Sequence, residues 1–373
     1  MKIIFICSSL ESGRDGVGDY TRRLSCELIR KGHTVTAISL NDKYISDTFI
    51  GSQLSDGVDL RLLRLSASMP LPQRLSHARK YIDEFNPDWI SLQFVIFGYN
   101  TKGLPLWLNK LATLGKRRKW HIMFHELWLG METNASKKHL IWGAIQKFII
   151  SSFIKTLKPT VIQTNTLLYK QNLLDIGFKA EQLPLFGNIP VINRDKKQSN
   201  QIFDETRCIK LVLFGHIHPN APVSSFFKEL TAYAIENNLR ISLTFIGICG
   251  IYQEHWINEC KLIGINTTVL GEQPADYISE ILSNSTLGIS TTPSPLLEKS
   301  GSVAAMREHG LSVICVSNSW LPKQNKNLTL PDGIAVYKPD KLRSLFIENL
   351  NDLPGNNISL ISARFINSLL NNF

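Results

Sequence analysis

The chain opens with an apolar run, Lys2-Ile3-Ile4-Phe5-Ile6-Cys7, then a glycine-containing loop at 12–18, then apolar residues at helical spacing, Leu24, Leu28 and Ile29. Gly32 interrupts that spacing, and a β-branched run follows at 33–40. The pattern predicts a buried strand, a helix over 19–31 with Asp19 as N-cap and Gly32 as the left-handed residue past its end, and a second strand. Such a β-α-β unit leaves little freedom, because its strands run parallel, its crossover is right-handed and both faces of its sheet need cover. All-β and helical-bundle architectures are excluded.

The alternation continues along the chain. Strands are predicted at Trp89–Phe94, Lys119–Phe124 and 160–164, with helices at Leu71–Phe85 and 137–153. The polar stretch NRDKKQSNQIFDET at 193–206 reads as a linker. A second series follows, with strands at 209–214, Arg240–Ile246, 267–270, Leu287–Ser290 and 312–316 and helices at 223–237, 253–263, 275–282 and 302–309. At 373 residues there is room for two domains. The expected fold is therefore α/β, two doubly wound Rossmann-like domains facing a central cleft, the first at 1–195 and the second at 207–355. The amphipathic tail, 356–373, is expected to pack back on the first. Ligands of open α/β sheets bind outside the carboxyl ends of the strands, which directs attention to the loops there.

Charge adds a constraint. Residues 1–159 hold 23 Lys and Arg against 13 Asp and Glu, whereas the remainder holds 18 of each, so the whole net charge of +10 lies in the first part. An anionic partner for that half follows: a phosphorylated substrate, a membrane surface or a nucleic acid. No segment resembles a nucleic-acid-reading module. The six cysteines are scattered without a C-x-x-C pair, as for buried thiols in a reducing cytosol, and no metal site is indicated. The N-terminal run is shorter than the roughly 7–15 residues of a signal core, and no stretch is read as the ~18 apolar residues of a spanning helix, so a cytoplasmic location is expected.

Four stretches carry candidate chemistry. Gly13-Arg14-Asp15-Gly16-Val17-Gly18-Asp19 places glycines and a helix N-terminus where an anion could approach the backbone, although an ordinary βα turn uses the same residues. Glu298-Lys299-Ser300-Gly301-Ser302 follows a predicted strand. It combines a cation, two potential N-caps and a position without a side chain, an arrangement suited to a diphosphate. His125-Glu126 follows the strand ending at Phe124; the histidine either serves structure or meets a sugar hydroxyl, with Glu126 able to orient it. Gly215-His216-Ile217-His218 follows the first strand of the second series, and its histidines read as loop residues lining the cleft. A basic helix interleaved with aromatics, including Lys137, Lys138, Lys147, Trp142 and Phe148, and the cluster Lys116-Arg117-Arg118-Lys119 suit either an anionic membrane face or plain solvation.

Taken together, ESGRDGVGDYTRRLSCELIRKGHTVTAIS, FHELW and TTPSPLLEKSGSVAAMREHGLSVI resemble the glycine-loop, His-acid and donor-site motifs of glycosyltransferase family 4, a family of the GT-B fold. The resemblance spans about residues 1–317. It implies transfer of a sugar from a UDP- or GDP-linked donor to a glycan or lipid-linked acceptor, without cofactor or metal and with retained anomeric configuration. It also implies roles. Gly16 and Gly18 would approach the donor diphosphate from the first domain, and Lys299, Ser300, Gly301 and Ser302 would hold it from the second. Glu298 would bind donor-sugar hydroxyls and His125 would contact the sugar near its anomeric centre; Asp19, Glu126, Gly215 and His216 complete the substrate-binding candidates.

The family's second glutamate is here Met306, and Glu308, the nearest substitute, is turned about 240° from Ser302 on a helix. His216 stands where the family has an arginine. The expected setting is cell-surface polysaccharide or glycoconjugate assembly by a cytoplasmic enzyme, peripheral at the inner face of the membrane. The competing expectations are an inactive sugar-nucleotide-binding scaffold, motivated by Met306, and a GT-B enzyme of another reaction such as a nucleotide-sugar epimerase.

Overall fold

The computed structural model describes residues 1–115, 118–192, 206–323, 328–348 and 357–372. Most of the predicted linker, and Lys116 and Arg117 of the basic cluster, lie outside the described residues. Two compact units are resolved: Met1–Pro184 together with the C-terminal helix, and a second unit beginning at Leu185. The stretch from Leu185 to Ile192 already packs with the second unit, Ile189 in its core and the Ile192 N–H donating to Ser279 Oγ at 3.2 Å. A short return at Pro322 and Lys323 belongs to the first, where the Lys323 N–H donates to the Met131 carbonyl.

The first unit contains, in order, β1 (Lys2–Cys7), α1 (Gly16–Arg30), β2 (Thr34–Asp42), β3 (Phe49–Ser55), β4 (Val58–Ser66), α2 (Leu71–Phe85), β5 (Trp89–Phe94), the single turn α3 (Ile96–Tyr99), β6 (Lys119–Phe124), α4 (Lys137–Leu157), β7 (Val161–Thr164), α5 (Leu167–Asp175) and β8 (Glu181–Gln182). They build an eight-stranded sheet in the order β3-β4-β2-β1-β5-β6-β7-β8. Every pairing is parallel except β3 with β4. The central strands are buried along nearly their whole length, which is why they read as continuous apolar runs.

The second unit contains β9 (Cys208–Phe214), α6 (Val223–Glu236), β10 (Arg240–Ile246), α7 (Gln253–Leu262), β11 (Asn266–Gly271), α8 (Ala275–Asn284), β12 (Leu287–Ser290), α9 (Gly301–Glu308), β13 (Ser312–Cys315), β14 (Ile334–Val336) and α10 (Leu342–Glu348). Its all-parallel sheet has the order β11-β10-β9-β12-β13-β14. One apolar cluster is built on Phe226, Phe227 and Trp256, the other on Leu282, Val303 and Met306. Helix α11 (Ile358–Leu370) closes the chain on the first unit. There Lys31 Nζ donates to the Ser359 carbonyl and Ser362 Oγ, both at 2.7 Å, and Phe365 stacks on Phe5 at 5.6 Å.

The first helix corrects the sequence reading. It starts at Gly16, and Asp15 is the cap: in extended conformation, its carboxylate accepts from the N–H groups of Val17 and Gly18 at 2.9 and 3.0 Å. Asp19 lies inside the first turn, paired with Arg22 and accepting from the Gly13 N–H at 3.0 Å. At the other end the expected left-handed glycine is present, with Gly32 at φ +82° and the N–H groups of Gly32 and His33 returning to Ile29 and Leu28.

Gly18 is set by packing. A Cβ there would stand 2.5 Å from the Ser9 carbonyl oxygen, a backbone atom that cannot swing away. Gly18→Ala is expected to cost about 1–3 kcal/mol through displacement of α1. Chemical denaturation checks this, and an unchanged midpoint would mean that the β1–α1 loop yields freely.

Candidate functional site

In the first unit the predicted site residues lie at or just past the carboxyl ends of β1 and β6. Gly16 has open space on its Cα, whereas Gly18 is filled by Ser9 as described. Burial pushes the Asp19 carboxyl up, an effect partly offset by Arg22. His125 is buried, its backbone N–H bonded to the Phe94 carbonyl at 3.0 Å and its ring edge-on to Tyr20 at 4.9 Å. Gln93 holds the ring, with Oε1 at 2.9 Å from Nε2; Glu126, expected to orient it, is half-buried and does not take that place. Burial, and secondarily the neighbouring His121, push the imidazole down to about 3, so it is neutral at physiological pH. The sequence reading missed Gln93 and His121, which lie inside strands otherwise made of core residues.

In the second unit the structure brings together two stretches far apart in sequence, the β9 loop and the start of α9. Gly215 has φ +86°, and a Cβ on it would meet Ser302 Oγ at 2.9 Å. Only glycine suits that conformation and that approach. The loop is tied to the end of β12, where Thr291 Oγ1 accepts from the His218 N–H at 2.8 Å and donates to the His216 carbonyl at 3.3 Å. His216 is exposed and lies against Gly250, its ring edge-on to His218 at 5.4 Å. Burial pushes the His218 imidazole down, reinforced by repulsion from His216 and Lys299.

Ser300 is the cap of α9, accepting from the Val303 N–H at 3.3 Å, and Gly301 lies beside Asn188. Asn188 Oδ1 is buried with no hydrogen-bond partner among the described residues, a polar atom the sequence reading did not single out. Glu298 and Lys299 end a 3-10 turn, Ser294–Lys299, and both are half-buried. Met306 is wholly buried in the core. The Glu308 carboxylate lies against Gly187, where an added Cβ would meet Oε2 at 2.8 Å.

No protein-family model matches the chain, and no curated protein matches it. Solved structures do. The chain is similar to HepE of Anabaena, solved with UDP and glucose, at 13% identity over 100% of both chains and a TM-score of 0.58. It is likewise similar to α,α-trehalose 6-phosphate synthase from Burkholderia multivorans, at 11% identity, 99% and 98% coverage and a TM-score of 0.57. A third is the UDP-GlcNAc 2-epimerase of Neisseria meningitidis bound to UDP-GlcNAc, at 10% identity, 100% coverage of both chains and a TM-score of 0.54. The fold is GT-B. The expected α/β architecture of two Rossmann-like units is thus observed.

His121 and His125 make stability sensitive to acid. Both are pushed down to about 3 by burial, while the unfolded chain binds their protons near 6.5. Their contribution is complete above about pH 6.5 and is lost as pH falls toward the folded value, about 2 kcal/mol from each histidine by pH 5. His121→Gln is expected to flatten the drop in urea midpoint between pH 7 and pH 5. Parallel curves for the two proteins would refute this assignment.

Proposed function

We propose that this chain is a glycosyltransferase that moves a sugar from a UDP- or GDP-linked donor to a glycan or lipid-linked acceptor, as in family 4. The carrying observation is the close approach of Gly215 to Ser302 at the start of α9, two residues after Lys299 ends the preceding turn. A side-chain-free loop, the capped start of a helix and a cation, converging at strand carboxyl ends, suit the diphosphate of a nucleotide sugar and offset charge on the departing nucleotide. The names of the similar structures support the donor class, since HepE was solved with UDP and the epimerase with UDP-GlcNAc. In this reading His125 and Glu298 contact the donor sugar. Gly16, Asp19, Glu126, Gly215, His216, Ser300 and Gly301 line the donor and acceptor positions.

The test is release of free nucleotide from a panel of UDP- and GDP-sugars in the presence of lipid-linked acceptors. Lys299→Ala and His125→Ala are each expected to lower turnover on the order of a hundredfold. Binding without turnover across the panel would favour the inactive scaffold, and conversion of the sugar with no nucleotide freed would favour an epimerase.

For the acceptor side we propose an anionic membrane at the cytoplasmic face, met by α4. This helix is longer than the sequence pattern suggested and, against the earlier reading, is long and apolar enough by composition to cross a membrane. Its face bearing Gln146, Ile150, Phe153 and Leu157 is buried, and Phe153 stacks with Phe94 of β5. The opposite face carries Ile141, Ile145 and Phe148 at i, i+4 and i+7, all exposed, Phe148 at 74%. Residues 137–157 include Lys137, Lys138, Lys147 and Lys155 and no Asp or Glu. An exposed apolar stripe among cations fits the headgroup boundary of an anionic bilayer with the helix lying in its plane. Flotation is expected to recover the protein with phosphatidylcholine–phosphatidylglycerol vesicles well above phosphatidylcholine alone. A variant with Ile141→Ser and Phe148→Ser should lose on the order of tenfold in partitioning. Equal recovery on both vesicles would refute the proposal, and self-association without lipid would assign the stripe to a second copy of the chain.

A further inference from the structure

A continuous chain of buried side chains runs across the first sheet from α11 to His125, and its hydrogen bonds have one consistent direction. At the far end the Phe365 carbonyl can only accept, so Ser368 Oγ donates to it at 2.7 Å. Ser368 then accepts from Gln163 Nε2 at 2.9 Å, and the same amide donates to the Glu181 carboxylate at 3.4 Å. Two acceptors therefore hold the Gln163 amide one way round, with Oε1 toward His121 Nε2 at 3.1 Å. That nitrogen must carry the proton. In a neutral ring Nδ1 is then the acceptor, and Ser91 Oγ donates to it at 2.8 Å. Ser91 can now only accept from Gln93 Nε2, at 2.8 Å, which turns Gln93 Oε1 to His125 Nε2 at 2.9 Å.

Each link is forced by the one before it. Ser91, Gln93 and His121 have no solvent exposure and Gln163 has 2%, so water cannot substitute for a missing partner. Burial keeps both rings neutral, consistent with the direction of their shifts.

We infer that Ser91, Gln93, His121, Gln163 and Ser368 are positioning residues that fix His125 as its Nε2–H tautomer, leaving Nδ1 as a pure hydrogen-bond acceptor. Nδ1 has no partner among the described residues. The group that His125 takes from a ligand is then a donor, a sugar hydroxyl, and a phosphate or carboxylate oxygen is disfavoured there. This consequence for the ligand rests on the proposed sugar contact of His125; the tautomer itself does not.

Long-range proton–nitrogen NMR of ¹⁵N-histidine-labelled protein, without ligand at neutral pH, reads the tautomer directly. The expected result is Nε2–H for both His121 and His125; Nδ1–H or an imidazolium at His125 overturns the inference. Ser91→Ala cuts the chain without touching the partner of His125, so His125 should become a tautomer mixture while its circular dichroism and unfolding midpoint show the variant folded. Unchanged His125 nitrogen shifts in that variant would refute transmission through the chain. Wild-type shifts decide the tautomer even where Ser91→Ala fails to fold. With a sugar nucleotide that the enzyme turns over, Ser91→Ala should lower kcat on the order of tenfold at nearly constant KM. Absence of turnover with every donor bears on the transferase reading and leaves the NMR result standing.

Discussion

A parallel sheet covered on both faces offers no water to a polar side chain, and the first unit nevertheless carries Ser91, Gln93, His121 and Gln163 inside its sheet. Unpaired, each would cost on the order of 1–3 kcal/mol. They are tolerated because strand register brings them together: Ser91 is the direct cross-strand partner of His121, and Gln93 lies two residues further along β5 on the same face. Helix α11 then supplies the terminal acceptor. The C-terminal helix, far from the candidate site in sequence, is thereby part of what the site depends on.

In the proposed function the two units would meet anions differently. In the second, the loop after β9 and the start of α9 approach so closely that a side chain on Gly215 would meet Ser302, and burial, with repulsion from His216 and Lys299, pushes the His218 imidazole down. In the first, the basic excess is spread over α4 and other surface positions, where long lysine stems can cover apolar surface while their heads stay in water. On that proposal the arrangement in the second unit would suit a compact diphosphate, and that in the first unit an extended anionic surface.

Much of this was legible in the sequence because buried parallel strands produce apolar runs, and glycine at a helix end has one reading. The β1–α1–β2 unit, the positions of β5, β6, β7 and β9 to β13, and the placement of Lys299 to Ser302 after a strand follow from those signals, whereas the short strands β8 and β14 do not. The antiparallel pair β3–β4 escaped, since FIGSQLS alternates weakly and Phe49, Ile50 and Leu54 stay exposed at the sheet edge. The capping of α1 was misread because Asp15 and Asp19 are the same residue type one turn apart, and only backbone conformation decides between them. The polar chain was invisible because its members lie on three strands and a helix. The visible hint, polar residues at alternate positions in Ser91-Leu92-Gln93 and His121 within otherwise apolar strands, acquires meaning only once the register is known.

Met306, which stands where the family 4 resemblance would lead one to expect a glutamate, is fixed by packing. Its side chain fills the space over Gly288, where an added Cβ would meet the sulfur at 2.7 Å, and it packs among Leu282 and Val313. A glutamate on this backbone at 306 would place a carboxylate in that apolar cluster, where burying a charge costs several kcal/mol. The small residue at 288 and the large apolar one at 306 form one packing solution. The acid that remains on α9, Glu308, is accommodated because Gly187 has no side chain at that place.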